Sequence, residues 1–196
     1  MHPTAIVEAG AIIEPEARVW HFSHVREGAR LGALTAIGRD VYIDKNVELG
    51  RGTRVQNGVS IYNGVEVGSW CFIGPHAIFT NDLHPRVGKR TWTLQHTVLR
   101  DGMSIGAGAI IRCGVEIGAF AMIGAGAVVT KSIPSFSLAV GLPAEVESLI
   151  CACGETRVAL DANASELIQA CCRNLLNPEV LALAEVHAKQ FRRTDE

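Results

Sequence analysis

Between Thr53 and Phe79 the chain reads TRVQNGVSIYNGVEVGSWCFIGPHAIF. An apolar residue returns at every sixth place: Val55, Ile61, Val67, Ile73 and Phe79. Extended backwards, the register takes in Val7, Ile13, Val19, Val25, Leu31, Ile37, Ile43 and Leu49, so all thirteen positions are apolar. In a chain that is 48% hydrophobic, one chosen register does this by chance roughly once in ten thousand trials. The residue two places earlier is usually small, as at Ala11, Ala17, Ser23, Ala29, Thr35, Thr53 and Ala77. The residue after is often glycine or acidic, as at Glu8, Glu14, Gly32, Gly38, Asp44, Gly50, Gly68 and Gly74. Beyond Phe79 the register breaks. It resumes two residues out of phase at Leu99, Ile105, Ile111, Ile117, Ile123 and Val129.

A period of six suits neither an α-helix nor a half-buried strand. It suits a solenoid in which each hexad gives one short strand and one corner, and three hexads close a coil. Stacked coils bury what one coil cannot. The expected fold is all-β: a left-handed parallel β-helix of hexapeptide repeats over residues 1–145, with a loop inserted at 80–98. A C-terminal helical extension follows at 146–196. Glycine is assigned to corners, where positive φ is tolerated best without a Cβ.

An 18-residue coil sorts the residues that follow the inward aliphatics into three columns. Two are rich in glycine: Glu14, Gly32, Gly50, Gly68 and Trp20, Gly38, Gln56, Gly74. The third is polar: Glu8, Arg26, Asp44, Tyr62, Thr80. Beside it run Ala9, Glu27, Lys45, Asn63 and Asn81. Charges, amides and a tyrosine on one edge suit a sugar and a diphosphate; a merely solvated edge is the alternative. The same edge leads into the loop, where Arg86, Lys89 and Arg90 are candidates to face phosphate.

Composition narrows the function. Net charge is −2 and charged residues make up 19%, which argues against nucleic-acid binding by a basic face. No apolar run reaches the ~18 residues of a membrane span. Met1-His2-Pro3-Thr4 does not begin a secretory signal, so a cytoplasmic location is expected. Of six cysteines, Cys71 and Cys113 fall among apolar repeat positions and read as core. Cys151, Cys153, Cys171 and Cys172 suggest a metal. Adjacent cysteines are poor tetrahedral partners, however, and CxxC spacing is absent, so no metal is expected.

The segment IGPHAIFTND at 73–82, with Pro85, Arg86 and Trp92, resembles bacterial nucleotide-linked amino-sugar N-acetyltransferases, in particular those acting on 3-amino sugars of surface polysaccharide pathways. SIGA at 104–107, IGAGAVVTK at 123–131 and VGLPA at 140–144 are similar to the ending of hexapeptide acetyltransferases, with Leu142 where that family has asparagine. CACG at 151–154 also resembles relatives with a Cys-x-Cys-Gly tail. The resemblance covers residues 5–157. It implies a homotrimer, acetyl-CoA between coils of neighbouring subunits, and a UDP- or dTDP-linked 3-amino sugar near the asparagine of the FTND segment.

Amide formation from a thioester needs a neutral amine, a polarised carbonyl and a stabilised oxyanion. Backbone N–H groups can stabilise the oxyanion. By the resemblance, Asn81 orients the amine, and Asn63, one coil below, supports it. His76, His84 and His96, with Asp82 behind them, are candidate bases; the leaving thiolate can also collect the proton. Arg26, Glu27, Asp44, Lys45, Tyr62, Asn63, Asp82 and Arg86 are candidate substrate-binding residues. For the coenzyme, Gly106, Ala107 and Ala125 would admit the pantetheine arm, and Lys131 would meet phosphate. An O-acetyltransferase is the main rival. A γ-type carbonic anhydrase would need zinc-binding histidines, and the spacings of His21, His24, His76, His84 and His96 do not suit it. A non-catalytic scaffold leaves the polar edge unexplained.

The extension predicts a helix over 165–176, with Leu167, Ile168, Cys171 and Leu175 on one face. A second helix begins at Asn177-Pro178 and runs through Phe191. Both are expected to cover the end of the solenoid, with a trimer contact as the alternative.

Overall fold

The computed structural model describes residues 1–191; positions 192–196 of the extension lie outside the described residues. Two- and three-residue strands make up three sheets, parallel throughout except for the longer hairpin strands that end the third. The first sheet has seven strands, from Ile6–Val7 to Val128–Val129. The second has six, from Ile12–Ile13 to Glu116–Ile117, and the third has nine, beginning at Arg18–Val19. Register follows the 18-residue coil: Val7 pairs with Val25, Ile43 with Ile61, and Ile37 with Val55. Leu99 instead pairs with Val67, 32 residues away, so the loop adds 14 residues to one coil without disturbing the stack. That accounts for the two-residue phase jump, since 14 is two more than two hexads.

The inward aliphatics make the core. Val25, Leu31, Ile37, Ile43, Ile61, Ile73, Ile105, Ile111 and Val129 are fully buried. Val7 and Ile13, in the first coil, are only half-buried, because no coil lies below them. The small residues two places earlier also point inward. Ser23 and Thr53 bridge successive coils: Ser23 Oγ donates to the Gly38 carbonyl at 2.6 Å and accepts from Val41 N–H at 3.1 Å. Cys71 and Cys113 are buried, as expected of core thiols, and burial pushes the Cys71 thiol up to about 12.

We name the corners in chain order: the first joins first sheet to second, the second joins second to third, and the third returns to the first. Glycine serves them in two ways, and the expectation identified only one. Except after Phe79 and Val129, positive φ falls three residues after each inward aliphatic, where non-glycine residues such as Asn46, Trp70, His76 and Phe120 also adopt it. The polar first corner has glycine there too, at Gly10, Gly28, Gly64 and Gly114. The glycines directly after the aliphatics have a different reason. A Cβ on Gly50 would lie 2.4 Å from the Gly68 carbonyl carbon and 2.5 Å from Ser69 N, both backbone atoms of the next coil. Gly50→Ala is therefore expected to destabilise by about 2 kcal/mol or more. Gly126→Ala, at φ +68 with open space around the site, should cost about 1 kcal/mol. Urea midpoints of the two variants check the order.

The last parallel strand, Ser137–Gly141, folds back antiparallel onto Ala144–Ile150, which pairs with Arg157–Val158. This hairpin, not the helices, extends the third sheet. The helix expected over 165–176 is split. A 3₁₀ turn at Ala164–Leu167, closed by a capping box between Asn163 and Glu166, ends at Ile168 in a non-helical conformation. Helix α1 (Ala170–Leu175) then buries Cys172, while Leu175 is 61% exposed. Helix α2 (Pro178–Gln190) is capped by Asn177, whose side chain accepts from Val180 N–H. It runs along the second corner instead of lidding the end. Glu179 meets Arg51 at 2.8 Å, His187 meets Asp101 at 3.1 Å, and Phe191 packs edge-on against Phe136. No helix among the described residues is long and apolar enough to cross a membrane.

Candidate functional site

The first corner carries a ladder of polar side chains. Arg26 Nε donates to Glu8 at 3.2 Å, and Arg26 Nη1 reaches the Tyr42 hydroxyl at 3.1 Å and Asp44 at 3.5 Å. Asp44 also accepts from the Tyr42 hydroxyl at 3.0 Å and from the backbone N–H groups of Lys45 and Asn63. His24 meets Glu8 at 2.7 Å. Burial alone would raise the pKa of Asp44, but the donors of Lys45, Asn63, Tyr42 and Arg26 outweigh it and hold it below its ordinary value. The Glu27 backbone N–H, followed by His24 and Arg26, depresses Glu8 against a smaller opposing desolvation.

Depressed carboxylates contribute stability above their unfolded pKa and lose it as pH falls through the folded value. Stability is thus expected to fall as pH drops below about 4. Asp44→Asn should flatten that limb in urea midpoints taken between pH 3 and 7.

Arg26, Asp44 and Tyr62 stack on this one edge, with Glu27, Lys45 and Asn63 beside them. Glu27 and Lys45 are exposed, and Tyr62 and Asn63 half-buried. The loop opens from the same edge. Asp82 accepts from His84 N–H at 2.8 Å, and Asn81, His84 and Arg86 are exposed. The loop returns through Leu94 and Gln95, which pack over Gly64 and Gly114. His96, at its end, pairs with Glu66 at 3.4 Å.

The third corner is different. On its lower coils, glycine backbone is covered: the His76 ring lies over Gly58. On the last two coils Ala107 and Ala125 are exposed, and nothing lies within 4 Å of where a Cβ on Gly108 or Gly126 would sit. Gly106 has no such freedom, being pressed against Ala125 of the next coil. The result is a stretch of bare, exposed backbone with His76 one coil below it. Further down, a groove of about 300 Å³ is lined by Trp20, His21, Arg39, Gln56 and Asn57.

Two groupings made from the sequence therefore come apart within one chain. His76 stands on the third corner and Asn81 on the first, at opposite ends of the strand Ile78–Phe79. Five residues of chain span at most about 17 Å, and a strand carries its two flanking corners to different edges. Lys131 follows the first sheet, not the third, so it does not join Ala107 and Ala125. It pairs with Glu145 at 2.8 Å on the surface. His24 and Tyr42 were missed as members of the ladder. Their signal was present: His24 and Tyr42 are outward-facing strand residues 18 apart, directly below the polar column.

A second cluster lies away from both corners. The sulfurs of Cys151, Cys153, Cys171 and Cys172 all fall within 4.8 Å of one another. Adjacency of Cys171 and Cys172 does not separate them: each sulfur reaches Cys153, at 3.5 and 3.6 Å.

Residues 46–81 and 84–131 match the family model of the bacterial transferase hexapeptide (six repeats). The solenoid is a hexapeptide-repeat β-helix. A maltose O-acetyltransferase from Clostridium difficile 630 shares this β-helix at 26% identity and a TM-score of 0.55, over 61% of this chain and 68% of that one. A hexapeptide-repeat acetyltransferase from Vibrio cholerae, complexed with acetyl coenzyme A, is 23% identical with a TM-score of 0.50, over 71% and 70%. A perosamine N-acetyltransferase from Caulobacter crescentus is 24% identical with a TM-score of 0.41, over 75% and 55%. No curated protein matches the sequence. The hexapeptide-repeat β-helix fixes where side chains stand on the two corners.

Proposed function

We propose that the protein transfers an acetyl group from acetyl-CoA to the amine of a UDP- or dTDP-linked 3-amino sugar. It works as a homotrimer whose sites lie between subunits. The observation that carries this reading is the pairing of bare, exposed backbone on the third corner, which would form a slot against a neighbouring subunit, with a polar ladder and loop on the first. Exposed Ala107 and Ala125 and the open backbone of Gly108 and Gly126 fit a long, thin pantetheine arm. Similarity to a maltose O-acetyltransferase supports acetyl transfer as the class. The first corner, with Asn81, Asp82, His84 and Arg86 on its loop, suits a sugar and a diphosphate.

Acetyl-CoA supplies the thioester carbonyl. The Asn81 amide oxygen accepts a hydrogen bond from the sugar amine and aims its lone pair at that carbonyl. As the C–N bond forms and the C–S bond breaks, the amine proton passes to His76 of the neighbouring subunit. His84 contacts the sugar from the loop, and Lys131, on the first corner of the subunit that supplies Asn81, faces the coenzyme phosphates. Holding both substrates in one groove accounts for much of the acceleration, on the order of 7 kcal/mol.

One observation favours a second reading: His76 and His84 are both exposed, and a hydroxyl acceptor needs a base more than an amine does. An O-acetyltransferase would use the same slot. Filling the slot tests what the two readings share. Ala107→Trp is expected to raise KM for acetyl-CoA roughly tenfold or more, equivalent to about 1.4 kcal/mol of lost binding. Steady-state kinetics at fixed acceptor measure it. An unchanged KM would remove the coenzyme from this corner.

A further inference from the structure

The four-cysteine cluster is built from two separate parts of the extension. Cys151 and Cys153 lie on the turn that leaves Ala144–Ile150, which bends at Gly154 with φ +81. Cys171 and Cys172 come from the start of α1. The sulfur separations are 3.5 Å for Cys151 to Cys153, 3.8 Å for Cys151 to Cys171, and 3.5 Å for Cys153 to Cys171. Cys153 to Cys172 is 3.6 Å.

These four separations match the edges expected of a sulfur tetrahedron around a zinc ion, and the remaining two lie within 4.8 Å. A Zn–S bond of about 2.3 Å gives an S–S edge of about 3.8 Å. Two disulfides would draw the sulfurs into two pairs at about 2.05 Å. Here Cys153 is instead nearly equidistant from three partners, and all four are free thiols. The surroundings suit thiolates: Thr156 N–H donates to Cys151 Sγ at 3.2 Å, and the Thr156 hydroxyl lies 3.7 Å from Cys171 Sγ. Backbone and hydroxyl partners of this kind hold metal ligands in position.

We propose that Cys151, Cys153, Cys171 and Cys172 bind one Zn²⁺ as a closed structural site. With four protein ligands, no position remains open for substrate or water, so the ion is not catalytic. Binding converts thiols to thiolates and releases their protons; nothing is oxidised. The site ties the hairpin to the helices. It sits in a small second core around Val158, Leu167 and Ala184, separate from the core of the solenoid. An appendage of this size gains most from such a staple. This inference is independent of the acetyl-transfer reading.

The test uses the full chain purified under reducing conditions without chelator. Elemental analysis is expected to give about one zinc per chain, falling below about 0.1 in Cys153→Ser. Replacing zinc by Co²⁺ in the wild-type protein should give intense visible bands of tetrahedral cobalt with a thiolate charge-transfer band. That readout holds even if the variant fails to fold. Removing the metal should lower the unfolding temperature by about 5 °C or more. Two results would overturn the proposal. One is a reduced protein that takes up neither zinc nor cobalt. The other is an intact mass about 4 Da low, which would mean two disulfides.

Discussion

Asn81→Ala is expected to lower kcat/KM for the amino sugar by about 10²-fold, close to 2.7 kcal/mol of transition-state stabilisation. KM for acetyl-CoA and the unfolding temperature should stay unchanged. Asn81 is exposed at the root of the loop, and its side chain makes no hydrogen bond among the described residues. Its removal therefore costs no internal contact. On the proposed mechanism, what is lost is the acceptor that holds the amine in line with the thioester carbonyl, and small misplacements at a reacting centre are expensive. Asn81→Asp keeps an acceptor and should retain more activity than alanine. Steady-state kinetics with saturating acetyl-CoA, alongside thermal unfolding, separate this role from a structural one.

Mixing His76→Ala with Asn81→Ala should restore activity that neither variant has alone. The two residues lie on different corners, at opposite ends of one strand, so one amine is not flanked by both from the same chain. In a three-fold assembly a first corner can face a neighbour's third corner, so one subunit supplies His76 and the next supplies Asn81. Each variant alone should retain about 1% of wild-type kcat. After denaturation and refolding of an equal mixture, random assembly leaves both groups intact at about one interface in four. Activity should then rise to about a quarter of wild type, more than tenfold above either parent. A mixture no more active than its parents would place the site within one chain and remove His76 from it.

The stacked core was legible because burial acts on every sixth residue with no competing signal. Even the insertion could be read, since the phase jump between Phe79 and Leu99 records it. The polar column was legible for the same reason, as stacking puts residues 18 apart on one edge. Other features needed three dimensions. Gly50 looks like a turn glycine in sequence, yet its φ is ordinary and the next coil's backbone is what excludes a side chain. His76 and Asn81 are five residues apart, and proximity in sequence suggested one site. A strand between two corners does the opposite. Tyr42 and His24 were missed because attention to corners ignored outward strand faces. The clustering of the four cysteine sulfurs also needed three dimensions, since a turn and a helix start each supply two of them.

The central claim is acetyl transfer from acetyl-CoA to a nucleotide-linked 3-amino sugar. Its most direct test incubates the pure protein with acetyl-CoA and a panel of UDP- and dTDP-linked 3-amino and 4-amino sugars. The products are read by mass spectrometry, because thiol-release assays would suffer background from six cysteines. The account predicts a gain of about 42 Da, an acetyl replacing a hydrogen on nitrogen, on a 3-amino sugar and not on its 4-amino isomer. No gain on any amine, with acetylation of hydroxyl acceptors instead, would contradict it and make the protein an O-acetyltransferase.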